Sequence, residues 1–394
     1  MSKGSILFAG QMFYHTWYLS RELRKLGWNA DVLNWDANPA SQMYYHGEDF
    51  KFTYDSYKID SIKQIAFYTK ALARYDIFHF SNAHGIQFGP FVSGIVNFLG
   101  LPPCSEIRLL KKLGKKIVYN TNGCLDGVSQ TSFRSWEGET VCDICIWRDN
   151  PNVCSDKRNL EWGALRNRLV DYICHTCGNL KGYNWDSSLL HIVPEVICLD
   201  PDFWHPNLPI PPKYFLPSSP DTVKIYHAVG NFASRTDSNQ RNTKSTHIYL
   251  PLIEQLKKEG YPVELIFATD IPNKEVRYLQ AQADIVVDGL TFGFYGSNAK
   301  EAMMLGKPVI CYLRPAFLEN IRSELPDYAN EIPVVSATSE TIHDVLVDLI
   351  TDSAKRKLIG QRSREFAVKW HSAEAGAKRM DKIYSELLRK ETNA

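Results

Sequence analysis

Two things are missing from this chain of 394 residues: an apolar run long enough to cross a bilayer, and an excess of charge of either sign. A spanning helix needs ~20 consecutive apolar residues. The longest apolar-leaning run, Phe88 to Leu101, is broken by Pro90, Gly94 and Asn97, so it reads as a buried loop-helix segment that can at most dock on a membrane or a lipid acceptor. Ser5 to Ala9, close to the start, is too short for a signal-peptide core, which predicts a cytoplasmic protein whose membrane contact is peripheral. Forty-five basic against forty-four acidic side chains leave a formal charge of +1, so no overall field draws the protein to nucleic acid. Any anion has to be bound locally. The nine cysteines are an odd number, which argues against a disulfide framework.

What is present is an ordinary globular composition, 44% hydrophobic and 23% charged, in a chain longer than the ~250 to 300 residues one core supports. Two domains are expected. Ser5 to Ala9 reads as a buried strand ending at Gly10; Leu19, Leu23 and Leu26 follow at helical spacing, then a stop at Gly27 and a strand at Ala30 to Leu33. Strand, helix, strand in that order is a parallel βαβ unit. Asp76 to Phe80, Ile107 to Leu113 and Lys116 to Tyr119 continue the series up to the turn Asn120-Thr121-Asn122-Gly123. Seven prolines between Pro201 and Pro220 then exclude a helix or central strand. A second series follows: strand Val223 to Ala228, helix Thr246 to Lys258, strand Val263 to Ala268, helix Asn273 to Gln282, strand Ile285 to Val287, and, after Val334, helices over Ser339 to Thr351, Ala354 to Trp370 and Ala373 to Arg389. The expected division is an N-terminal α/β domain over 1–205, a proline-rich linker over 206–222, a C-terminal α/β domain over 223–370, and a terminal helix within 371–394.

The chemistry concentrates after Ile285 to Val287. Three glycines fall among the eight residues from Gly289 to Gly296, which lets a ligand approach the main chain closely. Ser297 can cap a helix running to about Leu305, closed by Gly306 with Pro308 beyond. The free amides of Ser297, Asn298 and Ala299 then form an anion site at a helix N-terminus. Glu301 lies one turn further in, where a carboxylate can accept hydrogen bonds from a ribose diol.

The run from Gly293-Phe294-Tyr295-Gly296 through Glu301-Ala302-Met303-Met304-Leu305-Gly306 to Pro308-Val309 resembles the donor motif E-G-F-G-x(4)-E-A-M-A-x-G-x-P-V of the family 4 retaining glycosyltransferases. The resemblance implies a GT-B architecture, two Rossmann-like domains facing a cleft with the C-terminal helices packing back on the first domain. It gives Glu301 the ribose-binding role, while the first Glu of the family's E-x(7)-E falls at Gly293. Arg241-Asn242-Thr243-Lys244-Ser245 is similar to the family's phosphate-binding G-R-x(n)-K-G pair, and Gly10-Gln11 to its N-terminal glycine loop. Val196 to Asp200 resembles its domain-boundary segment, and Asn122-Gly123-x-x-Asp126 its H-G-x-D turn, with Asn in place of His. What these matches imply is transfer of a sugar, with retention, from a nucleotide sugar to a glycan, lipid-linked or small-molecule acceptor. Arg241, Lys244 and Glu301 would serve catalysis, and no cofactor beyond the donor is required.

Bland readings stand beside these. Arg241 and Lys244 fit a polar surface loop, and His15 and His84, each just after a strand, fit either an acceptor contact or a satisfied structural role. Cys142-x(2)-Cys145 and Cys174-x(2)-Cys177, with Cys154 between them, could supply four thiolates to a structural zinc, or be free thiols. A sugar-nucleotide epimerase of the same fold, and a scaffold that binds nucleotide or glycan without turnover, are the rival functions.

Overall fold

The computed structural model describes residues 2–10, 12–81, 86–121, 123–124, 126–136, 138–176, 188–217, 219 and 221–389. Short β-rich runs buried on both faces build two parallel sheets, as expected of strands joined by helical crossovers. The first contains β1 (Ser5–Gly10), β2 (Asn29–Asn34), β3 (Phe50–Lys51), β4 (Ile77–Ser81), β5 (Lys116–Asn120), β6 (Tyr172–His175) and β7 (Leu190–Ile192), in the order β3-β2-β1-β4-β5-β6-β7. The second contains β8 (Val223–Val229), β9 (Val263–Thr269), β10 (Ile285–Val287), β11 (Val309–Cys311) and β12 (Val335–Ser336), in the order β12-β11-β10-β8-β9. Every described pairing is parallel. The strand order reverses beside β1 and β4 in the first sheet and beside β8 and β10 in the second. Crevices at such reversals are where open α/β sheets take ligands.

Two parallel-sheet α/β domains are therefore present. The expected helices appear within a few residues of their predicted bounds, but Tyr57–Arg74 and Asp156–Leu169, and the short strands β3, β6 and β7, had no clear pattern. The run read as buried is instead the helix Pro90–Phe98, which buries Val92 and Val96 but leaves Ile95, Phe98, Leu99 and Leu101 exposed. Alternate turns of one apolar helix face differently, and hydropathy alone does not say which are covered.

The proline-rich stretch contains no strand or α-helix among its described residues. It is nevertheless packed: Trp204 is fully buried in a core shared with Tyr14 of the first domain and Tyr226 of the second. The last helix, Ala373–Arg389, lays Met380, Ile383, Tyr384 and Leu387 into the core under β1 and the helix Tyr14–Lys25. Backbone bonds from Leu199 N to His371 O (2.8 Å) and from Ala373 N to Leu199 O (2.7 Å) fasten its start. It thus returns to the N-terminal domain.

Candidate functional site

A cavity of about 240 Å³ opens at the C-terminal ends of β8 and β9. Its walls come from both domains: Phe13, Tyr14, His15 and Tyr44 from the first, and Tyr226, Arg235, Lys244, Asp270, Asn273, Ser297, Asn298 and Glu301 among those from the second. It sits where β8 and β10 diverge.

The glycine loop leads to the helix Ser297–Met304. Gly293 has φ +87°, and a Cβ there would stand 2.9 Å from Arg314 Cβ and Nε. The loop therefore needs glycine at this point. Arg314 N donates to Gly293 O at 2.8 Å, and the guanidinium lies 4.7 Å from the Trp136 ring. Phe294 and Tyr295 stack on each other, and the Tyr295 hydroxyl turns into the core to Tyr328 (2.5 Å) and His371 (3.2 Å). Ser297 does not cap the helix. The cap position is Gly296, because Ser297 Oγ is drawn instead to His15 Nε2 at 3.1 Å. Asn298 accepts from Gln280 Nε2 (2.8 Å), and Ala299 is fully buried, so only its amide belongs to the helix N-terminus.

Glu301 is 3% exposed and lines the cavity. Its Oε1 accepts from Tyr14 OH (2.5 Å) and Asn273 Nδ2 (2.8 Å), so one carboxylate ties the two domains together. Burial pushes its carboxyl above the usual range, against the pull of those two donors and of Lys244. The network runs on: Asn273 Oδ1 meets His46 Nε2 at 2.8 Å, and His46 Nδ1 meets Tyr18 OH at 2.8 Å. Burial lowers His46 to about 3, leaving a neutral ring stacked on Trp204.

Lys244 is placed by a tight loop in which its own N–H donates to Asn242 Oδ1 (3.0 Å). Its ammonium pairs with Asp288, the residue after β10, while still facing the cavity. Burial alone would raise Asp288, but Lys244 and the amides of Gly296 and Gly289 outweigh it and hold the carboxyl below its ordinary value. Arg241 is outside the cavity lining, within electrostatic reach of Glu139 and His247; Arg235 is the guanidinium that lines the cavity.

Past His15 and Ser297 lies a second cavity of about 210 Å³, lined by Met12, Ser81, Asn120, Thr121, Phe292, Phe294 and Lys300 among others. Gly10 abuts it at the end of β1, where a Cβ would lie 2.4 Å from Ser81 O. His15 is buried and lowered to about 3, by burial first; its Nδ1 donates to Cys198 O at 2.8 Å, leaving Nε2 to accept from Ser297. Gln11, His84 and Asn122 lie outside the described residues.

The chosen zinc ligands do not assemble. Cys174 is fully buried in β6, in the core with Val118 and Cys198, whereas Cys142 packs with Val128, Phe133 and Val141; Cys177 lies outside the described residues. Spacing along the chain had paired knuckles that pack in different cores. Tyr14, His46, Asn273 and Asp288 were not singled out from the sequence. Only Asp288, a polar residue ending a β-branched run, carried a local signal.

No protein-family model matches the sequence, and no curated protein does. Solved structures do match the fold. A sucrose-phosphate synthase from Thermosynechococcus elongatus aligns over 98% of this chain and 99% of its own, with a TM-score of 0.56 at 14% identity. The Anabaena protein Alr3699/HepE, solved in complex with UDP, aligns over 97% and 100%, with a TM-score of 0.55 at 12% identity. A putative UDP-N-acetylglucosamine 2-epimerase from Listeria monocytogenes aligns over 99% and 98%, with a TM-score of 0.50 at 11% identity. At such identities the likeness concerns architecture, which is that of GT-B.

Proposed function

We propose that the protein is a glycosyltransferase that takes its sugar from a nucleoside-diphosphate sugar bound between the two domains. The observation that carries this reading is the convergence, at one strand-order reversal, of a helix N-terminus, Lys244 and a buried Glu301 one turn in. Amide dipoles and an ammonium suit a diphosphate, and a carboxylate accepts from a ribose diol. The HepE structures hold UDP and UDP-glucose, which supports the same use of this fold here.

The second cavity favours transfer over epimerisation. It adjoins the helix N-terminus on the far side of Ser297, where the sugar of a donor would lie; no Asp or Glu is among the described residues that line it, and His15 there is engaged at both ring nitrogens, by Cys198 O and Ser297 Oγ. An epimerase needs acid and base groups around the sugar. A transferase whose leaving phosphate takes the acceptor proton does not, and retention follows from that mechanism. Lys244 and the amides of Ser297, Asn298 and Ala299 then stabilise charge on the departing diphosphate, and Arg235 lies within the same wall. Incubation with a panel of sugar nucleotides is the test: released nucleoside diphosphate, reduced at least tenfold by Lys244→Ala, is expected. An isomerised donor, or unchanged donor despite tight binding, would instead establish the epimerase or the scaffold.

The acceptor reading is a lipid-linked one presented at an anionic membrane. Tyr57, Ile59, Ile62, Phe98, Leu99 and Leu113 are exposed on the adjoining helices Tyr57–Arg74, Pro90–Phe98 and Ser105–Lys112 and just beyond their ends. The first and third of these helices carry Lys58, Lys63, Lys70, Arg108 and Lys112, besides Arg74 and Lys111, which pair with Asp31 and Asp171. Exposed apolar side chains on helices that also carry basic ones suit an anionic surface. Co-flotation with anionic vesicles, lost in Phe98→Glu/Leu99→Glu, is the expected outcome; equal flotation of that variant removes the reading.

A further inference from the structure

The geometry points to a structural zinc site made by Cys124, Cys142, Cys145 and Cys154, in the N-terminal domain beside the glycine loop. All four line one cavity of about 100 Å³, whose other walls include the apolar Val128, Phe133, Val141 and Trp147 and the polar Gln130 and Asn159. Each sulfur interacts electrostatically with the other three: Cys124 with Cys145, Cys154 and Cys142, Cys142 with Cys154 and Cys145, and Cys145 with Cys154. None is in a disulfide.

Buried cysteine is often no more than a small hydrophobe. This cluster is different because donors are aimed into it. The Arg148 N–H closes the turn after Cys145 on its carbonyl oxygen at 3.3 Å, and the side-chain amides of Gln130 (3.3 Å) and Asn159 (3.5 Å) donate to Cys154 Sγ. Outer-shell N–H groups of this kind stabilise thiolates that bind metal. Arg134 and Arg148 add positive charge near Cys142 and Cys145. The same segment has little else to order it: the helices Gln130–Arg134 and Val141–Ile144 are short, and the buried core here is Val128, Phe133, Val141 and Cys142.

As placed, no group of three or more His, Cys, Asp or Glu among the described residues is close enough to hold an ion. Cys124, Cys142, Cys145 and Cys154 would each supply one thiolate to the ion, which would require the Cys142–Cys145 turn and the Cys154 loop to close on the cavity they already line. Binding would exchange four S–H protons for one Zn²⁺. The metal clips the loops that hold Phe133 and Trp136, and these rings meet Phe292 of the glycine loop and Phe317. Its role is to fix the wall beside Gly293.

Full-length protein, purified without chelator, is expected to contain one zinc per chain by elemental analysis. Cobalt exchanged into it should show thiolate-to-metal charge transfer and the visible bands of a tetrahedral ion. Cys124→Ser and Cys154→Ser should lose the metal, and Cys174→Ser and Cys104→Ser should keep it. Absence of stoichiometric zinc, iron in its place, a disulfide among the four, or full zinc retention in Cys124→Ser and Cys154→Ser each overturns the site. If those two variants fail to fold, the cobalt spectrum of the unaltered chain still decides, since a spectrum without thiolate charge transfer refutes it.

Discussion

Glu301 carries two loads that pull apart. It is a buried acid whose native proton affinity is raised, mainly by burial, and it holds the two domains through Tyr14 and Asn273. Because the native state binds that proton more tightly than the unfolded chain does, its contribution to stability falls as pH rises from about 4.3 through the raised native value. Glu301→Gln keeps an acceptor for both donors and removes the charge. The variant should therefore melt with the parent near pH 4 and above it by pH 7.5. Nucleoside-diphosphate affinity should drop roughly fivefold, since a charged acceptor exceeds a neutral one by about 1 kcal/mol. Equal melting curves at pH 7.5 would contradict the first half, and unchanged titrations the second. Lys244 and Asp288 behave as a unit. Lys244→Met strands a buried carboxylate and should cost about 1–3 kcal/mol in urea denaturation, the lower end reflecting the partial exposure of the ammonium. Adding Asp288→Asn should recover most of that loss. Additive losses would show that the pair is not coupled. Glu301 and Lys244 were legible because each sits at a fixed distance from a glycine or strand signal. Their partners were not: Tyr14 is 287 positions from Glu301, and nothing local marks it.

At the level of elements, strands and helices with strong periodicity were readable, and so was the glycine loop. The loop's geometry was not. Sequence alone placed Ser297 as a helix cap, but the competing partner His15 comes from the other domain. Likewise, Gly293 stood out only as the place where the E-x(7)-E pattern loses its first Glu. In the structure Arg314 fills the space that a side chain at 293 would need, and its N–H holds the loop carbonyl. Gly293→Ala should then cost about 1–3 kcal/mol, from the left-handed backbone and from displacement of Arg314. The same change should weaken donor turnover more than nucleoside-diphosphate binding, because the proposed phosphate and ribose contacts, at Lys244, the helix amides and Glu301, lie away from Gly293. A fully stable Gly293→Ala with normal turnover would show that the loop tolerates a Cβ there. The cysteines teach the same lesson in another form. The spacing Cys-x(2)-Cys was visible twice, but which cysteines share a cavity depends on the core each packs in.

For the whole molecule, the two-domain α/β architecture follows from strand-helix alternation and the proline break, and the cleft follows from where strand order reverses. How tightly the halves are joined could not be read from spacing, because it depends on side chains brought together from afar. His15 and His46 lie in that junction, and His79, His175 and His227 are buried elsewhere; burial is the first cause in each case, and each is lowered to about 3. An unfolded histidine titrates near 6.5. Between about pH 6.5 and 3 the unfolded chain therefore binds protons that the native chain refuses, and stability falls as pH falls. Each such histidine contributes up to about 1.4 kcal/mol per pH unit in that window. Raised carboxyls at Glu106, Glu195 and Glu301 oppose the trend, since the native state takes up their protons first. Glu139 is raised as well, but His247 and His371 are lowered along with the five above, so the histidines outnumber the raised carboxyls and the net loss between pH 7 and 5 should still reach several kcal/mol. Urea midpoints recorded across that range should fall steeply, with net proton uptake on unfolding. Saturating nucleoside diphosphate should raise every midpoint, because a ligand held by both domains binds only the folded chain. A midpoint flat from pH 7.5 to 5 would mean that these histidines are reached by water in solution, and that the domain junction is looser than its hydrogen bonds imply.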